Sequence, residues 1–173
     1  DVFIFSCFTG LSYIDIKTLK ASEICTSFDG KLWIMRHRQK TDTPVNVPLL
    51  KIPLAILKKY DGQLPKGELL PVLSNQKLNS YLKEIADLCG INKNITFHTA
   101  RHTWATLAYH SGVPVGLISQ SLGHSSIRVT MTYLKPFDAE VIDRINRQVI
   151  SLVKKSKKKK DGRFNMLYGT SLR

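Results

Sequence analysis

ITFHTARHTWATLAYHSGVPVGLISQSLGHSSIRVTMTYL, residues 95–134, decides how this chain is read. The stretch divides into three helices, at about 98–111, 114–122 and 126–134. Gly123 reads as the stop of the second. Ser125 and Ser126 read as caps for the third, a short helix that presents Tyr133 near its end. His98 and Arg101 are three apart, so a helix puts them on one face.

His98, Arg101, His124 and Tyr133 together suit phosphate chemistry with a tyrosine nucleophile. Arg101 is a rigid, permanently charged fork for phosphate oxygens. The two imidazoles can donate to the same oxygens, with His98 a candidate base. The phenol can become the attacking oxygen. Taken singly, each residue has an ordinary reading: a half-buried tyrosine with a satisfied hydroxyl, a surface arginine, a core histidine. His98 and His102 also stand at the i, i+4 spacing of a zinc site. No Asp, Glu or Cys lies close in sequence to complete one, and Arg101 sits between them. No metal and no cofactor are therefore expected. His102 reads as structural, and His37 and His110 carry no signal.

The stretch 96–134 resembles the C-terminal signature of the tyrosine recombinases, the phage-integrase family. That signature is a His-x-x-Arg on one helix, a Leu-Gly-His after the next, and a Tyr nine residues later, as His124 and Tyr133 are here. FTGLSYIDIKTL (8–19) is similar to the family's first motif and RQKT (38–41) to its β-hairpin lysine motif. The resemblance implies cleavage and rejoining of DNA through a 3′-phosphotyrosine, with Tyr133 as nucleophile and Arg101, His98 and His124 around the phosphate. It implies Lys40 as general acid to the 5′-hydroxyl, against the plain reading of a turn lysine. It also implies a homotetramer on double-stranded DNA, a monomer when free, accessory factors, and a helical DNA-clamping domain preceding this segment.

One position departs from the pattern. After Thr9-Gly10-Leu11 the family has an arginine that shares the phosphate, and this chain has Ser12. Ser12 and the RQKT hairpin resemble integrases of conjugative transposons. Side chains two apart on a strand point the same way. Arg36, Arg38 and Lys40 therefore share a face. Arg38 is the first candidate to replace the missing charge and Arg36 the second. Asp15 is a candidate supporting acid.

The remaining chain completes a mainly α fold with a small three-stranded antiparallel sheet. Residues 1–9 and 13–20 read as helical pieces broken at Gly10. Residues 21–49 read as three strands, around Asp29-Gly30 and a second turn near Asp42–Pro44. Helices are expected at about 50–60, 75–89 and 138–153. The last carries an apolar stripe of Val141, Ile145, Val149 and Leu152, suited to its own core or to a neighbouring subunit.

The 173 residues carry a formal charge of +13, with a pI near 9.8. Such an excess points to a polyanion, nucleic acid before membrane. The absence of a long apolar run argues against the membrane. Residues 154–173 hold six lysines and two arginines against Asp161, a net +7. Lys154, Lys155, Lys157 and Lys158 read as a solvated tail, a nonspecific grip on DNA beside Arg38 and Lys40, or both. Cys7, Cys25 and Cys89 read as buried free thiols, consistent with a bacterial cytoplasm. The expected domain is 1–153, followed by the tail. Two other functions stay open: a housekeeping recombinase that resolves chromosome dimers, and a DNA-binding module without catalysis.

Overall fold

The N-terminal segment folds as two helices, α1 (Val2–Thr9) and α2 (Tyr13–Lys17), broken at Gly10. Gly10 ends α1 in the left-handed region (φ 70°), and its N–H donates to the Ser6 carbonyl. A side chain is disfavoured there twice over: by the positive φ, and because a Cβ would come within 3.0 Å of the Trp104 ring. Val2, Phe5, Ser6 and Thr9 form the buried face of α1 at helical spacing. Ser12 caps α2, accepting from the Asp15 N–H.

The described residues of this computed structural model are 1–65, 67–134 and 147. The chain divides into two units, Asp1–Lys135 and Pro136–Arg173. The elements named here belong to the first. The helix expected over 138–153 and the tail 154–173 lie outside the described residues, Arg147 apart.

Three strands follow α2: β1 (Ile24–Thr26), β2 (Leu32–His37) and β3 (Pro44–Pro48). They pair antiparallel in the order β1-β2-β3, with Ile34 opposite both Ile24 and Val47. Alternation puts Ile34, Arg36, Val45 and Val47 on the inner face. The β2–β3 connection is closed by Arg38 N–H to the Thr43 carbonyl and Asp42 N–H to the Arg38 carbonyl. Gln39, Lys40 and Thr41 are thereby held at its tip.

The described helices are completed by α3 (Lys51–Tyr60), α4 (Asn75–Leu88), α5 (Phe97–His110), α6 (Val115–Ser121) and α7 (Ile127–Met131). One core joins α1, the sheet and α3, with Phe5, Leu11, Ile34 and Val47 at its centre. A smaller one joins α5 and α6 through Ala105, Ile118 and Leu122, with Trp104, Tyr133 and Leu134 packed against it. Ala100 and Ala105 on α5 are fully buried. Their small side chains let α1 and α6 approach the helix closely. The fold is thus mainly helical with one three-stranded antiparallel sheet. The cysteines differ from expectation. All are free, but Cys89 is exposed and Cys7 and Cys25 are only half-buried. Cys89 caps the C-terminus of α4, a helix whose only buried residue is Ala86.

Candidate active site

Two helix-ending glycines frame the site. Arg101, 2% exposed, rises from α5 between them. One terminal nitrogen donates to the Gly10 carbonyl and the other to the Leu122 carbonyl, 91 and 21 residues away. Arg101 thus ties the α1–α2 corner and the α6–α7 corner to α5. Its Nε is buried without a hydrogen-bond acceptor among the described residues. Burial and the neighbouring Arg38 push the Arg101 guanidinium down to about 10, partly offset by the Tyr133 phenol and Asp15. It stays charged at neutral pH.

The hairpin meets the same corner from the other side. Arg38 donates to the Gly123 carbonyl at 3.0 Å, and the Thr41 hydroxyl reaches the same oxygen at 3.1 Å. Gly123 has φ 60°, and a Cβ there would sit 2.3 Å from Arg38 Cδ and 2.7 Å from Val45 Cγ2. The missing side chain is the groove through which Arg38 passes.

Asp15 lies under this junction, fully buried. Its carboxylate accepts from the Ser12 hydroxyl at 2.5 Å and the Gln39 N–H at 3.2 Å, and stands 3.5 Å from Arg38 Nε. One carboxylate thus fixes the first-motif loop, the hairpin tip and Arg38 together. Arg36 goes elsewhere. Its guanidinium donates to the Asp15 carbonyl and to Thr18 Oγ1 (3.0 Å), and stands 3.6 Å from Glu23. Arg36 and Arg38 do share a face, but Arg36 is used in packing and does not line the cleft.

A cleft of about 500 Å³ opens over this junction, lined by Ser12, Arg38, Lys40, His98, Arg101 and Tyr133 among others. The Tyr133 ring lies 5.2 Å from that of His98 and 4.9 Å from that of His124. Burial, followed by His102, Arg101, Arg38 and Lys40, lowers the His98 pKa. Burial, followed by Arg101, Arg38 and His98, brings His124 down to about 4. Both rings are thus neutral at pH 7. His124 Nδ1 is 2.9 Å from the buried Thr130 hydroxyl. With that hydroxyl donating to Nδ1, the His124 proton sits on Nε2 as a donor.

The structure therefore gathers His98, Arg101, His124, Tyr133, Lys40 and Arg38 in one place. Sequence reasoning passed over three contributors: Gly123 as a groove, Thr130 behind His124, and His102, whose ring stacks on Tyr133 at 4.2 Å. The i, i+4 spacing of His98 and His102 was the available signal for the last. No group of three or more metal-binding side chains occurs among the described residues. Nor is any helix among them long and apolar enough to cross a membrane.

A cationic cleft with a phenol at its edge is the kind of site at which a phosphodiester can be held and attacked. Residues 4–140 match the phage integrase family, and the chain belongs to it. A tyrosine recombinase of Thermosipho africanus is 30% identical over 154 residues, covering 80% of this chain and 53% of its own length. Among solved structures, the fold is similar to XerH site-specific recombinase in a post-cleavage complex with palindromic difH substrate. The TM-score is 0.68 at 22% identity, covering 84% of this chain and 43% of that one. It is also similar to the Tn1549 transposon integrase in complex with a circular intermediate DNA, with a TM-score of 0.60 at 12% identity, covering 85% and 57%. The chain spans about half the length of these relatives.

Proposed function

We propose that residues 1–153 are the catalytic domain of a site-specific DNA recombinase that integrates and excises a mobile element, with 154–173 a tail that grips DNA phosphates. The observation that carries this reading is the Tyr133 ring 5.2 Å from the His98 ring and 4.9 Å from the His124 ring, at the cleft shared with Arg101, Arg38 and Lys40. The Tyr133 oxygen attacks phosphorus and its proton passes to neutral His98, whose lowered pKa keeps it free to accept. Arg101 and Arg38 cover the two non-bridging oxygens, and His124 Nε2–H adds a donor. The phosphorus–O5′ bond breaks, and the 5′-hydroxyl leaves with a proton from Lys40. Attack of a 5′-hydroxyl on the phosphotyrosine reverses every step, so rejoining needs no ATP. Side chains supply each charge and proton, so the scheme requires no metal.

Arg38 takes the place of the arginine that the family carries where this chain has Ser12. Ser12, held on Asp15, is also what favours the mobile-element reading. The active assembly is a homotetramer on two duplexes. A second reading, chromosome-dimer resolution, is favoured by 38% identity over 61 residues to the tyrosine recombinase XerD of Corynebacterium glutamicum. Recombination assays with element ends and with chromosomal dimer sites separate the two. The chemistry itself is tested on nicked duplex DNA. The wild-type chain leaves a covalent adduct on a denaturing gel, and Tyr133→Phe leaves none while binding DNA nearly unchanged. An adduct persisting in the Phe variant, or none with wild type, defeats the reading.

A further inference from the structure

Tyr133 follows a helix of only five residues, α7, and its own backbone bonds are local. Its N–H donates to the Thr130 carbonyl at 2.9 Å, and the Leu134 N–H to that of Met131 at 3.3 Å. So short a helix, ending in a turn, does little to fix a ring against a different helix. The connection to α5 comes from side chains. The His102 imidazole lies flat on the phenol ring, 4.2 Å between centroids and 22° between planes. His102 Nδ1 is 3.4 Å from the Tyr133 carbonyl oxygen, and the Thr106 hydroxyl donates to that oxygen at 3.3 Å. The His98 ring meets both rings at steep angles, 4.9 Å from His102 at 88° and 5.2 Å from Tyr133 at 66°. His98, His102 and Thr106 recur every four residues on α5, and Arg101 adjoins them.

We propose that His102, with Thr106, is a positioning residue that holds Tyr133 on the helix that also carries Arg101, so that nucleophile and phosphate clamp share one rigid support. This rests on the reading of Tyr133 as nucleophile. The ring of His102 meets the phenol with its face, and its Nδ1 is turned to a main-chain carbonyl. A stack and two carbonyl bonds set position and move no proton. The step affected is delivery of the phenol to phosphorus, not DNA affinity and not protonation of the leaving group. A misplacement of about 1 Å at a reacting atom costs on the order of 10²-fold.

The test is single-turnover adduct formation on nicked duplex at saturating DNA, with half-saturation and melting temperature followed in parallel. His102→Ala is expected to slow the step by roughly 10–10²-fold at unchanged half-saturation. His102→Phe, which keeps the stack, should recover most of that rate, and Thr106→Val should cost a few-fold. A substrate with sulfur in place of the bridging 5′-oxygen needs no acid for its leaving group. It should rescue Lys40→Ala and leave His102→Ala slow. Rescue of His102→Ala by the thiolate, loss confined to half-saturation, or a Phe variant as slow as the Ala variant each overturns the proposal. Should His102→Ala melt early, Thr106→Val and His102→Phe still decide it: full rate in Thr106→Val, or no adduct in a well-folded His102→Phe, overturns it. Fluorine NMR of 3-fluorotyrosine placed at 133 reads the same contact without activity. The resonance should shift and broaden in His102→Ala, and an unmoved resonance is equally decisive against it. An adduct formed by Tyr133→Phe contradicts the nucleophile assignment instead, and so is told apart from failure of the positioning role.

Discussion

α5 and the β2–β3 hairpin supply the cations of the cleft by opposite means. On α5, Arg101 is buried and both terminal nitrogens are bound to main-chain carbonyls that belong to other elements. On the hairpin, Lys40 stands exposed at the tip of a turn, and Arg38 reaches inward from its base over Gly123. The difference matches two needs of the proposed chemistry. Charge on the non-bridging oxygens calls for donors fixed before the reaction begins. A general acid must follow a leaving oxygen that departs, and a lysine on a turn has the reach to do so.

The deepest break in that contrast is Arg101→Ala. Two buried carbonyls lose their donors at once, at about 1–3 kcal/mol each. The phosphate loses its fixed clamp as well. Both the melting temperature and the adduct rate should fall, the rate by 10²–10³-fold or more. A full-rate Arg101→Ala would remove Arg101 from the chemistry.

Arg38 and Arg36 sharpen the contrast within one strand. Arg38→Ala is expected to slow adduct formation by roughly 10²–10³-fold with a far smaller loss of DNA affinity. Arg36→Ala should do the reverse, lowering the melting temperature with little change in rate per folded molecule. Ser12→Arg added to Arg38→Ala should restore part of the activity. Equal rate effects from Arg36→Ala and Arg38→Ala would show that their different partners do not matter.

That pair also marks where the sequence stops being legible. The helical spacing of His98 and Arg101, the Asp29-Gly30 turn and the alternation of the strands are local signals, and the fold class follows from them. Period-2 alternation puts Arg36 and Arg38 on one face but cannot rank them. What separates them is Glu23 and Thr18 beside one and Gly123 beside the other, contacts that no local period encodes. His102 and Thr106 were missed for the same reason: their partner is a backbone carbonyl 31 and 27 residues on. Thr130 behind His124 is nearer, six residues away, but becomes visible only once Gly123 has turned the chain.

Acid should act on the cleft more gently. His98 and His124 are held neutral in the folded chain, with His124 near 4 against 6.5 for an ordinary imidazole. The unfolded chain therefore binds more protons in that window. Stability rises with pH through it and is lost as pH falls from about 6.5 toward 4. Urea titrations across this range should show a decline that His124→Asn reduces. A bound phosphate reverses the preference, so DNA binding near pH 6 should take up protons, measurable by calorimetry in buffers of different ionisation enthalpy.

The smallest expected effect lies outside both regions. Truncation after Val153 should flatten the salt dependence of nonspecific DNA binding, by about 0.9 in log–log slope for each phosphate contact removed. The rate of adduct formation at saturating DNA should stay as it was. An unchanged slope would leave the +6 of residues 1–153, the total of +13 less the tail's +7, as the whole electrostatic grip.

The two carbonyls on Arg101 also bear on when the cleft comes together as the chain folds. The guanidinium finds its place only after Gly10, Leu122 and α5 have met, and Arg38 only after the hairpin has crossed 85 residues to Gly123. A chain with only its local helices formed has the full inventory of reactive side chains and no place to bring them together. On the proposed reading, the cleavage site is therefore absent from nascent and partly unfolded molecules and forms with the transition that completes the fold.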